Sequence, residues 1–591
     1  MPKGLIPRNM KRLRQKTPAF RNSDESITTP IWDDGLEEDI MDILRQCGTH
    51  TATISVRRQS RGEPSEQRIK TIVTTSNPLK QQATAGRGER FHIASITKIL
   101  VATAIFIAFE KQTTDRASKQ SSTPFRQARD APLTKVYNHY SSVNMKAIPE
   151  DPIIYDLLVH RNGFPSLNHR MLAPDGQSIM GRANVREELL SQPSKDKTND
   201  GIKKSWAGYS NVNYTAVAMA IEAIWNGSLE SFMDETLFRP LGMHSTSIGV
   251  PNNESAENRG WVVDSNGKPH EIQRPLYRAD GAEAAALGAY STAHDLDIFF
   301  KFITDTFYNH EPLPIPGFDL SDLAKVLKMT YSTGESLRFT PLGLYTPLSS
   351  SVIGALSTNR AQFPTEPFST YAVIPEPGDN DIAVYYMAGS AVACSCATAL
   401  HVGEESSFAV VVLTNTSGPV DAADHILRLI LQRMAKWTAK GNVFPRLLQP
   451  GYAKEMVRQA RIKTLQRWKE VEQKHAQDVR QAPAINKDIE GVFKGVGFGQ
   501  RLSISKKQDG KMYITVDGPS ALPLPTEFEL VWVDSSSITM YIPPHLSVDC
   551  LGEGDWSNVV FRVEEMDHTV VALLRTTRSG EDRFSRISSN S

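Results

Sequence analysis

The chain has 591 residues, and its 66 Lys+Arg balance its 66 Asp+Glu, so the formal net charge is zero and no global field draws it to nucleic acid or an anionic membrane. With 40% apolar and 22% charged residues it has ordinary globular usage and room for two or more domains. Four cysteines (Cys47, Cys394, Cys396 and Cys550) are too few for a disulfide scaffold and lack zinc-site spacing, so they are expected to be reduced thiols.

The opening MPKGLIPRNMKRLRQKTPAFR carries seven basic side chains and no acidic one. No apolar core follows, which argues against a secretory signal and for a disordered basic tail over residues 1–34. HTATISVRR has strand character and is expected to open a sheet. Ser95-Ile96-Thr97-Lys98 then stands directly before an apolar run from Ile99 to Phe109. A membrane span takes about 20 apolar residues, so this shorter run reads as a buried helix. A hydroxyl and an amine three residues apart share one helix face. At the helix start the serine also meets the positive end of the helix dipole, which favours a developing alkoxide. A lysine in the same turn, partly withdrawn from water, can act as the base. S-x-x-K occurs four times, at Ser95, Ser194, Ser265 and Ser503. Only Ser95 opens a strongly apolar helix; the others fall in a polar loop, a turn and a strand.

Thr113 to Asp130 is polar and reads as a loop insertion. Tyr209-Ser210-Asn211 is the only Y-x-N of the chain and precedes a second apolar helix, VNYTAVAMAIEAI. A phenol there can relay protons, and an amide two residues on can orient a lysine or hold a substrate carbonyl. Residues 251–285 and 312–380 are rich in Pro, Gly, Ser and Asn and read as long loops and short helices around a cleft. AVYYMAG, SCATALHV and FAVVVLTNT follow as successive strands, and DAADHILRLILQRMAKW as a closing helix. Residues 441–484 hold a charged helix with a narrow apolar stripe, read as a connector. From 485 to 591, eight short alternating runs parted by turns predict a small β-barrel or sandwich. The expected class is α/β (α+β): a mixed sheet flanked by helices, with a helical subdomain, over residues 35–440, followed by an all-β domain.

Five blocks in this order resemble the serine β-lactamase and penicillin-binding-protein superfamily, especially its class C-like and esterase-like members. They are FHIASITKILVATAIFIAFEK, DLLVHRNGFP (Asp156 to Pro165), GYSNVNYTAVAMAIE, LFRPLGM (Leu237 to Met243) and ALGAYSTAHDL (Ala286 to Leu296), and they span residues 91–296. The resemblance implies a β-lactamase/transpeptidase-like fold, with Ser95 as nucleophile, Lys98 and Tyr209 as proton carriers, and Asn211 as an orienting amide. The family's third motif, Lys or His followed by Thr, Ser or Gly and then Gly, is met by Met387-Ala388-Gly389-Ser390. Gly389 is retained, and the backbone N–H groups of Ser95 and Ser390 would form the oxyanion hole. The basic residue is replaced by Met387, which puts β-lactams and D-Ala-D-Ala peptides in doubt and fits a neutral ester, thioester or amide better. His160 and His294 are expected to serve loop and helix structure. The C-terminal runs resemble the lipocalin-like domain appended to some esterase and D-aminopeptidase relatives.

The implied activity is a serine hydrolase working through an acyl-enzyme. Two alternatives stay open: an acyltransferase of secondary metabolism, passing the acyl group to an alcohol or amine, and an inactive β-lactamase-like binding protein. Neither a cofactor nor a metal is implied. A small-molecule acyl substrate is the expected partner, and the cytoplasm the expected location.

Overall fold

Long Val- and Ala-rich runs, buried on both faces, build the central sheet. Its eight strands lie in the order Glu66–Val73, Thr51–Ser60, Ser406–Thr414, Cys394–Val402, Val384–Ala391, Tyr345–Pro347, Leu337–Phe339 and Tyr331–Ser332. Neighbours in it pair antiparallel throughout. A parallel pairing occurs in a small three-stranded sheet, between Thr416–Ser417 and Arg259–Val263. The computed structural model describes residues 32–587, apart from 61–62, 75–88, 116–129, 142–150, 163, 165–166, 192–208, 251–258, 309–325, 328–330, 333–336, 348–356, 360–383, 404–405, 439–451, 484, 486, 497, 520–525, 547–555, 557–558, 568 and 578–579. The basic tail up to residue 31, most of the polar insertion after Asp115 and most of 312–380 lie outside these residues.

Register fixes what each sheet face meets, because side chains alternate and paired residues share a side. Ser55, Val411, Thr398 and Met387 are successive partners. On their face Ser55 donates to Asp297 of helix Ala293–Tyr308 at 2.9 Å, and Cys396 donates to Ile93 O at 3.0 Å. On the other face Tyr386 donates to Asp424 of helix Ala422–Thr438 at 2.7 Å. Helix Asp34–Cys47 packs against that last helix. Asp33 caps it by accepting from Leu36 N at 2.7 Å, and Gly48 ends it at φ 70. Neither this helix nor the edge strand Glu66–Val73 was expected from the sequence. Within 251–285, where composition predicts loops and short helices, Arg259–Val263 and Pro269–Gln273 pair as a hairpin.

Helices Thr97–Asp115 and Asn211–Trp225 pack against each other on the nucleophile side. Helix Asn211–Trp225 is buried nearly all round, as expected where an apolar run has no polar face. Further on, the 30-residue helix Tyr452–Gln481 packs against helix Asp34–Cys47 and against strand Glu527–Asp534. Lys454 pairs with Asp42 near its start, and the His475 ring stacks on Tyr541 near its end, centroids 3.9 Å apart. The eight C-terminal strands, Gly491–Gly495 to Gly580–Arg586, form a closed barrel. Leu502, Ile514, Phe528, Phe561, Leu573 and Phe584 are buried in it.

Candidate active site

Ser95 lies in a short 3₁₀ turn, Ala94–Ile96, that runs straight into helix Thr97–Asp115. The preceding residue, Ala94, is held at φ 41, a region that residues with a Cβ rarely adopt. Such strain persists only where the surroundings enforce it. Here they do: Ile93 N donates to Ala289 O at 3.0 Å, and Thr97 Oγ1 accepts from Ala289 N at 3.0 Å.

Four side chains singled out from the sequence meet at this turn. Lys98 Nζ donates to Ser95 Oγ at 3.1 Å, and Tyr209 OH donates to the same oxygen at 2.9 Å. Lys98 Nζ also donates to Asn211 Oδ1 and to Ala286 O, both at 2.8 Å, and lies 4.7 Å from the Tyr209 ring centre. Ser95 is 6% exposed and Lys98 fully buried, whereas Tyr209 is only partly buried. The serine therefore sits at the opening and the amine behind it.

Gly389 lies against the same turn. A Cβ there would come within 2.6 Å of Ile93 O and 2.6 Å of Cys396 Sγ, so only glycine lets the strand approach this closely. Ser390 follows on the strand and is partly exposed. Met387 is completely buried, two residues before Gly389 and on the same face.

His160 lies beneath the phenol, its ring centre 4.5 Å from that of Tyr209. Its Nδ1 accepts from Ser210 N at 3.2 Å and lies 3.2 Å from Asn213 Nδ2. Burial and the nearby Lys98 push its imidazole well below the ordinary value. With its Nδ1 taking the Ser210 N–H and its ring against Tyr209, His160 supports the tyrosine loop. His294 is about half exposed and lies 3.7 Å from Asp295, at the start of its helix. Two participants escaped the sequence reading. Ala286 contributes only a backbone carbonyl, which leaves no side-chain signal. Asn168 accepts from Asn211 Nδ2 at 2.9 Å across 43 positions of sequence, and an isolated asparagine opening a four-residue helix gives no periodicity to detect. Among the described residues, no group of three or more His, Cys, Asp or Glu could hold a metal ion, and no helix is long and apolar enough to cross a membrane.

A serine and a lysine one turn apart, faced by a tyrosine from the loop that enters a second helix and backed by an antiparallel sheet, define the class of site. Residues 69–435 match the Beta-lactamase family, and the chain belongs to that family. Among solved structures it is similar to the octameric penicillin-binding protein homologue from Pyrococcus abyssi, with 14% identity and a TM-score of 0.45 over 93% of this chain and 99% of that one. It is also similar to the D-amino acid amidase from Ochrobactrum anthropi SV3, with 15% identity and a TM-score of 0.46 over 69% and 99%. A class C beta lactamase from Rhodobacter sphaeroides gives 15% and 0.45 over 68% and 99%. No curated protein matches the sequence.

Proposed function

We propose that the protein is a serine hydrolase that cleaves an ester, thioester or amide through an acyl-enzyme on Ser95. The observation that carries this reading is the convergence of Lys98 Nζ and Tyr209 OH on one oxygen, Ser95 Oγ, at 3.1 and 2.9 Å. Ser95 Oγ attacks the acyl carbon as its proton passes to Lys98. Tyr209, bonded to the same oxygen, hands a proton to the departing alkoxide, thiolate or amine. The N–H groups of Ser95 and Ser390 hold the oxyanion, the first aided by the N-terminus of helix Thr97–Asp115. Water then takes the acyl group by the reverse proton path. Asn211 turns Lys98 towards the serine. With Met387 where the family motif carries a base, the substrate class is an acyl compound that brings no carboxylate to that strand.

Incubation with a fluorophosphonate, then peptide mass spectrometry, tests the assignment. The expected result is mass added at Ser95 and lost in both Ser95→Ala and Lys98→Ala. Label on another residue, or no label on the parent, overturns it. Added alcohol or amine acceptors should leave the yield of free acid unchanged; diversion to a new ester or amide would make the protein an acyltransferase.

A further inference from the structure

The C-terminal barrel grips a short stretch of the catalytic region, and that stretch reaches the lysine. Helix Asn168–Met171 lies against the barrel mouth. The His169 carbonyl accepts from Gln500 Nε2 at 3.0 Å and from Arg575 Nη1 at 3.4 Å. Trp556 Nε1 donates to Leu172 O at 3.1 Å. Arg575 Nη2 pairs with Asp582 Oδ2 at 2.6 Å, with both side chains at most 1% exposed, and its guanidinium lies over the Trp556 ring at 4.6 Å. Arg170 pairs with the other oxygen of Asp582, and His169 Nε2 lies 3.5 Å from that carboxylate. Burial raises the Asp582 carboxyl, but His169, Arg575 and Arg170 outweigh it and hold the group well below the usual carboxylate range. The contact continues outward: Thr526 donates to Asp175, and a Cβ on Gly518 would lie 2.1 Å from Ile179 O.

Asn168 begins this gripped helix. Its Oδ1 takes the nitrogen end of the Asn211 amide at 2.9 Å, which leaves the oxygen end facing Lys98 Nζ at 2.8 Å. An amide turned the other way would present donors to an amine that is itself a donor. We propose that Asn168 is a positioning residue for Lys98, and that the barrel is the clamp that keeps it in place. The chain of contacts runs Asp582 and Arg575, His169, Asn168, Asn211, Lys98, Ser95. A β domain that supplies none of the four side chains meeting at Ser95 thereby becomes part of the reaction centre. This inference rests on the reading of Ser95 as nucleophile.

The test uses the full chain and two readouts: the rate and pH profile of fluorophosphonate labelling, and amide hydrogen exchange. Asn168→Ala should slow labelling about tenfold or more, the worth of one hydrogen bond to a group that handles charge, with thermal melting unchanged. Asn168→Asp keeps an acceptor oxygen in place and should recover most of that rate, with an altered pH profile. Asp582→Asn should speed exchange in peptides covering 168–172 and also in those covering 209–215. The double variant should label no more slowly than the slower single one, because the two act in series. If Asp582→Asn does not fold, Gln500→Met removes one grip on the His169 carbonyl without uncovering a charge. Arg562→Ala, on the exposed barrel wall, should match the parent in both readouts. Labelling of Asn168→Ala at the parent rate overturns the proposal. Faster exchange confined to the barrel and 168–172 overturns it as well. Failure of the parent to label would instead remove the acyl-enzyme reading, and the exchange comparison would still decide whether the clamp reaches Asn211.

Discussion

Two buried basic side chains, Arg575 and Lys98, meet different kinds of partner. Arg575, at the barrel mouth, faces the Asp582 carboxylate at 2.6 Å, as Arg428 faces Asp424 at 2.9 Å beneath the central sheet. Lys98, at the helix start, donates to three neutral oxygens: Ser95 Oγ, Asn211 Oδ1 and Ala286 O. A guanidinium keeps its proton under all protein conditions and matches a carboxylate with two donors, so it fastens one element to another. These contacts of the Lys98 amine are with dipoles, which orient it beside the Ser95 hydroxyl. The first kind of contact fastens one element to another; the second sets the direction of an amine next to a hydroxyl.

The largest effect should come from making the second side chain like the first. Lys98→Arg puts a permanently protonated guanidinium where the proposal needs a proton acceptor; labelling of Ser95 should fall roughly 10³-fold or more, followed as intact mass against time, with circular dichroism checking the fold. Tyr209→Phe removes one of the two donors to Ser95 Oγ while keeping the ring against His160. Turnover of a chromogenic ester should drop roughly 10²-fold with little change in melting. On the barrel side, Asp582→Ala strips the carboxylate from between two guanidinium groups and should lower the unfolding free energy by about 3–5 kcal/mol, read from the urea midpoint.

Protons should sort these regions too. Asp582 is held below its unfolded value, so its stabilisation is complete above about pH 4 and fades as pH falls further. Glu283, fully buried just before the Ala286 carbonyl, behaves oppositely: burial raises its carboxyl from 4.5 to about 7. Between those values the folded protein holds a proton that the unfolded chain has released, so stability falls as pH rises through that window. Glu283→Gln should remove this slope, adding about 3 kcal/mol at pH 8 and nothing at pH 4, as unfolding at the two pH values would measure.

Local patterns made much of this molecule readable. The Ser95–Lys98 spacing, the apolar runs behind it, the three Val- and Ala-rich strands and the eight short alternating C-terminal runs all encode their structure within about ten residues. The unread parts depend on distance or on backbone. Strand Glu66–Val73 carries Glu66, Gln67, Arg68 and Lys70 because it covers the edge of the sheet, so its alternation lacks an apolar half. Helix Asp34–Cys47 had its cap, Asp33, and its stop, Gly48, in plain view, but the cap falls inside the segment read as tail. Asn168 and Ala286 acquire meaning only once remote segments fold against them.

The long helix Tyr452–Gln481 has a consequence of its own. Thirty residues span about 45 Å, and the rod is pinned to Asp42 near one end and to the Tyr541 ring near the other. It works as a ruler between the first helix of the chain and the barrel. Excising one turn would shorten it by about 5.4 Å and rotate the stacking partner of Tyr541 away, drawing the barrel mouth off the His169 carbonyl. The length of a segment with no chemistry of its own thus sets how the two halves of the protein meet.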